Sequence, residues 1–302
     1  DSICSALALA ELKQKQGVNA VAGRLGRINP ETAFILNKLE LDSPEYISTA
    51  KLMLSEIEID EARIVNQNTI IRKSWEYSQE VNVKTLYVSD DQDNYIGLAT
   101  VWEMARIQMQ DLHATASLLQ HATIENLADS VRGEILFEGN LDRTGYVRIA
   151  DKKMMDRDLT GAIMVLGDSE DAMFKCIAKG CAVIVIAENY VPDALIMSIA
   201  KDKGVTMITT PYNIMKIIQM IYRAIPIKTI MTSSKDVVSF NRNEYLEDVE
   251  REMLKTRHSS YPVTNQGKLV GSVSRYHLLK SEKKKFILVD HNEKKQSISD
   301  IE

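Results

Sequence analysis

The fold of this chain is indicated by a pattern that occurs twice, as YIGLATVWE at residues 95–103 and as LVGSVSRYH at residues 269–277. In both copies an apolar stretch passes through a glycine and reaches a hydroxyl residue. This predicts a strand followed by a helix that the hydroxyl caps. A helix and another strand precede each copy, at 73–81 and 83–88 in the first copy and at 244–256 and 259–263 in the second.

The segment between the copies, residues 120–224, has a pattern of its own. Short β-branched runs alternate with helix-like stretches, which predicts a small α/β domain with parallel strands. The acids Asp168, Glu170 and Asp171 follow the first run and look like a metal cluster, but their position predicts that they charge the start of a helix. The runs lie at 163–166, 182–186 and 205–212.

The beginning of the chain predicts a helix, a strand and a second helix. Asp1 or Ser2 can cap a helix that Gly17 would end, and residues 18–25 are strand-like. The run Asn29-Pro30-Glu31 combines a cap, a proline suited to the first helical position and an acid in the first turn. These are pieces of an α/β layer, too few to close a sheet.

The stretch FILVDHNE at residues 286–293 predicts a buried parallel strand that presents Asp290 where it ends. Metal and ligand sites of open α/β sheets lie at the edge formed by the carboxyl ends of the strands. Asp290 and Asp1 together suggest one metal-dependent catalytic domain, which is split by the residues that lie between them in sequence. The alternative for Asp1 is a simple helix cap. Because the chain begins with Asp and stops within a pattern, we expect a fragment.

The totals describe a protein of two or three domains. The 302 residues are 45% apolar and 26% charged, as in soluble globular proteins. The apolar runs are shorter than the ~18–20 residues that span a bilayer, so we expect no membrane partner. A net charge of −5 and a pI of about 5.7 argue against a nucleic-acid partner. Cys176 and Cys181 stand in apolar surroundings, which predicts buried thiols and a cytoplasmic location.

The repeat resembles a CBS pair, the two-copy fold that binds adenine nucleotides between its copies. The resemblance implies that Thr100 and Ser274 bind phosphate at helix starts and that Glu103 accepts ribose hydroxyls. In the second copy His277 replaces the acid, which departs from the pattern. A structural pair that binds nothing is the alternative. The nucleotide contacts that we predict are Lys84, Thr100, Glu103, Ser259, Ser274, Arg275, Tyr276, His277 and Lys280.

Among these contacts, the cations Lys84, Arg275 and Lys280 would offset phosphate charge. Tyr276 and Trp102 occupy the same position in the two copies. They either stack on a base or pack between the copies.

The middle segment resembles the DRTGG domain that is sometimes placed between two CBS copies. The resemblance covers about 123–222 and includes GDSED at 167–171 and TPY at 210–212. It implies a spacer with no chemistry of its own, which together with the CBS domains would form a homodimer.

The ends resemble the DHH phosphoesterase superfamily, in particular the family II, manganese-dependent inorganic pyrophosphatases. The matching stretches are DSICSA at 1–6, NPET at 29–32 and LVDHNE at 288–293. The resemblance implies that Asp1 binds one metal and that Asp290 bridges two, with His291 a neighbour rather than a ligand. It also implies Mn²⁺, or Mg²⁺ or Co²⁺, as the metal.

The expected fold class is α/β, with α+β in the CBS pair: parallel-sheet DHH pieces at both ends are interrupted by a CBS pair, itself split by a small α/β DRTGG-like domain. The resemblance implies a parent enzyme that hydrolyses pyrophosphate to two phosphates under control by AMP, ADP, ATP or diadenosine polyphosphates. This fragment alone would be inactive. Another CBS-regulated DHH phosphoesterase, or a sensor without catalysis, is the alternative. The expected boundaries are 1–58, 59–119, 120–224, 225–283 and 284–302.

Overall fold

The computed structural model describes residues 2–47, 49, 51–107, 112–150, 158–256 and 258–280. These residues form two compact units. The smaller unit takes its described residues from 1–59, 240–259 and 273 onward, and the larger unit takes its residues from 60–239 and 260–272. The second copy of the repeat is therefore divided between the two units.

The helices are distributed over the whole described chain, with short 3₁₀ turns at 54–56, 222–224 and 227–229. In chain order the α-helices are α1 (Ser2–Lys15), α2 (Pro30–Lys38), α3 (Ile71–Glu80), α4 (Val101–Arg106), α5 (Leu112–Leu119), α6 (Ile124–Ser130), α7 (Glu170–Ala178), α8 (Ala194–Lys203), α9 (Ile214–Ile221), α10 (Leu246–Lys255) and α11 (Arg275–Lys280).

The strands are short. In chain order they are β1 (Gly23–Arg24), β2 (Glu45–Tyr46), β3 (Ile64–Asn66), β4 (Thr85–Ser89), β5 (Tyr95–Thr100), β6 (Glu134–Phe137), β7 (Val147–Ile149), β8 (Ile163–Leu166), β9 (Val183–Ile186), β10 (Thr206–Thr209), β11 (Thr232–Ser233), β12 (Phe240–Asn241), β13 (Tyr261–Asn265) and β14 (Lys268–Val273). The helix–strand–strand–helix order expected for each copy is confirmed, as α3-β4-β5-α4 and as α10-β13-β14-α11.

The start of the smaller unit has the expected helices but a shorter strand. Helix α1 is followed by Gly17 at a φ of +78°, a left-handed conformation that suits glycine after a helix. The Asn29 side chain accepts a hydrogen bond from the Thr32 amide at 2.7 Å, so it caps α2 as predicted. The strand expected over 18–25 is reduced to β1, because its partner β2 offers only two residues to pair with.

The rest of the smaller unit is built on α10. The Leu54 amide donates to the Glu244 carbonyl at 2.9 Å, and the Leu246 amide donates to the Leu52 carbonyl at 2.8 Å. These bonds tie the start of α10 to the segment that follows the N-terminal α/β piece. Helix α10 buries Val249 and Met253.

The sheet of the first copy, in the larger unit, has the order β11-β5-β4-β3. Strands β3 and β4 are parallel, β4 and β5 are antiparallel, and β11 pairs antiparallel with β5. Strand β11 follows the middle segment in sequence, so the chain completes the first copy's sheet only after it has passed through that segment.

The middle segment forms a sheet of order β6-β10-β9-β8-β7. Strands β7 to β10 are parallel; β8, β9 and β10 are the three runs that the sequence predicts, and β7 is an addition to them. Strand β6 adds an antiparallel edge that the sequence pattern did not indicate. Every residue of β8, β9 and β10 is buried, because helices cover both faces of the sheet.

The larger unit has two apolar cores, one on each face of this sheet. Ile163 and Val165 of β8 belong to the first core, whereas Met164 and Leu166 belong to the second. Successive side chains of a strand point to opposite faces, which produces this division. The first core continues without a break into the first copy of the repeat and includes Ile71, Leu86, Met104, Leu127 and Ile217.

The second core contains the two thiols that were expected to be buried. Cys176 and Cys181 are free and fully buried. Burial raises the pKa of the Cys176 thiol to about 11 and also raises the pKa of Cys181. Both thiols therefore stay protonated and unreactive at neutral pH.

Helix α7 starts as the sequence predicts. The Ser169 side chain accepts from the Ala172 amide, while Glu170 and Asp171 lie in the first turn. Among the described residues there is no helix of the length and apolar character that a bilayer crossing needs.

Candidate functional site

In the first copy of the repeat, Thr100 and Glu103 form a capping box at the start of α4. The Thr100 hydroxyl oxygen accepts from the Glu103 amide at 3.3 Å. Glu103 Oε2 in turn accepts from the Thr100 amide at 2.6 Å and from the Thr100 hydroxyl at 3.0 Å. The structure thus brings together the two residues predicted to bind phosphate and ribose, and it gives them a structural role in the same place.

The other oxygen of Glu103 has a partner that the sequence did not indicate. The hydroxyl of Thr232, in β11, donates to Glu103 Oε1 at 2.8 Å. Both side chains are half-buried. Thr232 is 129 positions from Glu103, and no local pattern connects the two, so only the pairing of β11 with β5 reveals the contact.

In the second copy, the imidazole of His277 replaces the carboxylate of the capping box. The Ser274 amide donates to His277 Nδ1 at 3.1 Å, and the Ser274 hydroxyl lies 2.9 Å from the same nitrogen. Since an amide can only donate, Nδ1 must be the unprotonated nitrogen in this arrangement. The departure from the pattern in sequence therefore preserves the acceptor that closes the cap.

Arg275 performs a structural task that was not foreseen. One guanidinium nitrogen donates to the carbonyls of Met253 and Thr256, at 2.7 and 2.6 Å. These carbonyls lie at the end of α10, where helices leave acceptors unpaired. A substitution of Arg275 would therefore disturb α10 as well as any phosphate contact.

The remaining predicted contacts lie at the surface. Lys84 and Ser259 are exposed. Lys280 forms an exposed ion pair with Glu58 at 3.4 Å. Trp102 and Tyr276 are each 66% exposed, so neither is packed into a core of the described chain. Both rings are open to stacking.

Two tyrosines in contact, Tyr87 buried and Tyr95 half-buried, lie in the larger unit, on the first copy's sheet. The hydroxyls of Tyr87 and Ser260 are 3.2 Å apart, and the rings of Tyr87 and Tyr95 meet edge to face at 6.1 Å. Burial raises the pKa of Tyr87 and of Tyr95, so both phenols stay protonated at neutral pH. The buried Tyr95 hydroxyl has no hydrogen-bond partner within the described chain.

The predicted metal ligands Asp1 and Asp290, and their neighbour His291, lie outside the described residues. The described part of the chain contains no group of three or more His, Cys, Asp or Glu side chains that could hold a metal ion. The metal centre therefore remains a prediction from the sequence.

The chain matches two domain families. The DRTGG domain profile matches residues 126–224, and the CBS domain profile matches residues 227–284. Within the DRTGG match lies the tetrapeptide DRTG, Asp142-Arg143-Thr144-Gly145, which the sequence interpretation above did not use. Its Thr144 binds the Gly161 carbonyl through amide and hydroxyl, so the tetrapeptide has a structural role here.

Curated relatives match the chain over its whole length. The cobalt-dependent inorganic pyrophosphatase of Clostridium perfringens is 29% identical over 313 residues, which cover 100% of this chain and 56% of the relative. A probable manganese-dependent inorganic pyrophosphatase of Thermotoga maritima is 23% identical, with the same coverage. The chain thus spans little more than half the length of these relatives.

A solved structure has the same fold. The CBS and DRTGG domains of the regulatory region of Clostridium perfringens pyrophosphatase, complexed with the activator diadenosine tetraphosphate, match with a TM-score of 0.68. The match covers 74% of this chain and 100% of that chain at 24% identity. The resemblance read from the sequence is confirmed: the chain contains a DRTGG domain and a CBS domain, has the fold of a pyrophosphatase regulatory region, and is similar throughout to the metal-dependent inorganic pyrophosphatases of bacteria.

Proposed function

We propose that this chain is the nucleotide-binding regulatory region of a metal-dependent inorganic pyrophosphatase, with adjoining pieces of the catalytic domain. The observation that carries the proposal is the similarity along the entire chain to enzymes of that name, combined with the shared CBS and DRTGG fold. The whole protein would convert pyrophosphate and water into two phosphates. AMP, ADP, ATP or diadenosine polyphosphates would regulate it.

The surface residues of the repeat would recognise the nucleotide. Thr100 and Ser274 stand at helix starts, where hydroxyl and amide groups suit phosphate oxygens. The exposed rings of Trp102 and Tyr276 offer faces for adenine. Lys84 and Lys280 supply positive charge at the surface, with Ser259 as a further polar contact and His277 beside Ser274.

Regulation would be a shift between active and inactive arrangements. A nucleotide changes activity only as far as it binds the two arrangements with different affinity. The second CBS copy ends just before the stretch that carries Asp290, so a rearrangement there is placed to affect a metal ligand.

The catalytic part of the proposal rests on Asp1 and Asp290 as oxygen ligands of Mn²⁺, Mg²⁺ or Co²⁺. Paired ions of this kind generate a hydroxide nucleophile and stabilise charge on phosphoryl oxygens. We place the domain boundaries near 59, 120, 225 and 284, and we place the protein in the cytoplasm as a homodimer. Exposed apolar side chains on the DRTGG domain, at Val191, Leu195 and Met215, support contact with a second copy.

Calorimetric titration with AMP, ATP and diadenosine tetraphosphate tests the nucleotide site. We expect saturable binding that Tyr276→Ala weakens about tenfold, because stacking on an aromatic ring contributes roughly 1–3 kcal/mol per base. Leu279→Ala is the matched control, since Leu279 is exposed on the same helix and should leave affinity unchanged. If none of the three nucleotides binds, the regulatory half of the proposal is wrong.

A further inference from the structure

We infer that Thr232 is a positioning residue of the first copy's nucleotide site: it orients the Glu103 carboxylate for the ribose hydroxyls. The inference rests on the proposed binding of adenine nucleotides by this copy. It adds a residue from beyond the DRTGG domain to a site that the sequence places within residues 84–103.

The contact is made by the backbone as much as by the side chains. Strand β11 pairs with β5 so that Thr232 lies opposite Leu98 and Ser233 lies opposite Gly97. A Cβ built on Gly97 would clash with the Thr232 carbonyl oxygen. The glycine that marks the first copy of the repeat is therefore what lets β11 approach closely enough for Thr232 to reach Glu103.

The arrangement of donors leaves Glu103 oriented but still able to bind. A carboxylate has about four acceptor positions, two on each oxygen. Oε2 accepts from the Thr100 amide and hydroxyl, and Oε1 accepts from Thr232. One position on Oε1 stays available to a ligand hydroxyl, and the Thr100 hydroxyl can free a second position on Oε2 if it turns to a phosphate.

Without Thr232, only the Thr100 side of the carboxylate would be held. The Oε1 atom, which faces the available position, would lose its donor and could rotate away from a ligand. Holding it in advance lowers the ordering cost of binding, which is how a preorganised site gains affinity.

The same contact joins the site to the chain that leaves the DRTGG domain. Just before β11, the Ile227 amide donates to the Thr69 carbonyl at 2.8 Å. The Ile71 amide donates to the Ile225 carbonyl at 2.9 Å. Occupancy of the ribose position is thus linked through Thr232 to a segment that is fixed on α3, and linkage of this kind acts in both directions.

The test compares two ligands on three proteins by calorimetry. AMP carries both ribose hydroxyls, and 2′,3′-dideoxyadenosine monophosphate lacks them. We expect Thr232→Val to weaken AMP binding about three- to tenfold, the value of one hydrogen bond, and to leave the dideoxy ligand unaffected. Thr232→Ser, which keeps the hydroxyl, should restore the affinity of the original chain for AMP.

The outcomes separate this inference from the function on which it rests. If the original chain binds no AMP, the inference is wrong; the proposed nucleotide binding is wrong as well only if ATP and diadenosine tetraphosphate also fail to bind. If the original chain binds AMP but Thr232→Val binds it equally well, only the role of Thr232 is wrong. Equal weakening of both ligands would show a purely structural residue, which also overturns the inference.

Discussion

Gly145 lies where the connection between β6 and β7 passes over α5. Its φ is +75°, a conformation that costs a residue with a Cβ roughly 1–2 kcal/mol. A Cβ there would also clash with the carbonyl oxygen of Ala116. Both the backbone conformation at residue 145 and the nearby Ala116 carbonyl therefore require a glycine at this position.

We predict that Gly145→Ala lowers the free energy of unfolding by about 2–4 kcal/mol, as measured by urea denaturation. Gly167→Ala is the matched control within the same domain. A Cβ on Gly167 meets nothing within 4 Å, so the change should stay within about 0.5 kcal/mol. Equal effects of the two substitutions would contradict this account of Gly145.

Residues that act on their own helix could be predicted from sequence, and residues that act across the fold could not. The caps at Asn29, Thr100 and Ser169 follow from short patterns because donor and acceptor are three positions apart. Thr232 and Arg275 contact partners brought near only by folding. His277 was read as a departure because its residue type differs, although it supplies the same acceptor.

At the scale of elements, the junction between α3 and α6 is an ionic cluster over a shared apolar core. Arg72 is 7% exposed and binds both oxygens of Glu76, at 2.9 and 2.8 Å, and Asp129 at 2.6 Å. Lys73 also contacts Asp129, at 2.7 Å. Helix α3 belongs to the first copy and α6 to the DRTGG domain, so the cluster joins the two.

We predict that Asp129→Asn lowers the free energy of unfolding by about 1–2 kcal/mol, because it leaves a buried guanidinium partly unpaired. The value is reduced from that of a fully buried pair because the Asp129 side chain is 34% exposed. Glu61→Gln, which breaks an exposed pair with Arg63, is the control and should cost no more than about 0.5 kcal/mol.

The ion pairs of Asp129 with Arg72 and Lys73 predict that the stability of the fold depends on pH. Burial works against ionisation of Asp129, but Lys73 and Arg72 outweigh it and lower the pKa of the carboxyl. The contribution of Asp129 to stability is therefore complete above the pKa that its carboxyl has in the unfolded chain. The contribution is lost as the pH falls through the lower pKa that the carboxyl has in the folded chain. Acid should destabilise the original chain more than Asp129→Asn; parallel pH profiles would argue against this.

The sequence predicted a helix at 73–81, where α3 lies, but it predicted neither α6 nor the contact between the two helices. Arg72 and Glu76 are one helical turn apart and form a visible pair, whereas Asp129 is 57 positions from Arg72. The antiparallel edge β6 was missed for the same reason, since its partner β10 lies far along the chain. The alternation of buried runs, by contrast, indicated β8, β9 and β10 correctly.

At the scale of the molecule, the start of the smaller unit exposes much apolar surface. Val21, Leu25, Phe34 and Leu39 are all exposed. They belong to the segment that the sequence assigns to the catalytic domain. Such a surface is consistent with a layer that is covered by further parts of that domain in a complete enzyme.

We therefore predict that this chain alone does not hydrolyse pyrophosphate. Phosphate release would be measured with Mn²⁺, Mg²⁺ and Co²⁺, with the complete Clostridium perfringens enzyme as the positive control. Release that depends on added metal and stops with a chelator would contradict the prediction.

The unbroken first core also limits how this protein could be shortened. Ile71 and Met104 of the first copy share that core with Leu127 and Ile217 of the DRTGG domain. Deleting residues 120–224 and rejoining the ends would expose Ile71 and Met104 to solvent and create an apolar, aggregation-prone surface. Loss of the middle domain, in evolution or by design, therefore requires that the newly exposed apolar residues of the first copy be replaced by polar ones at the same time.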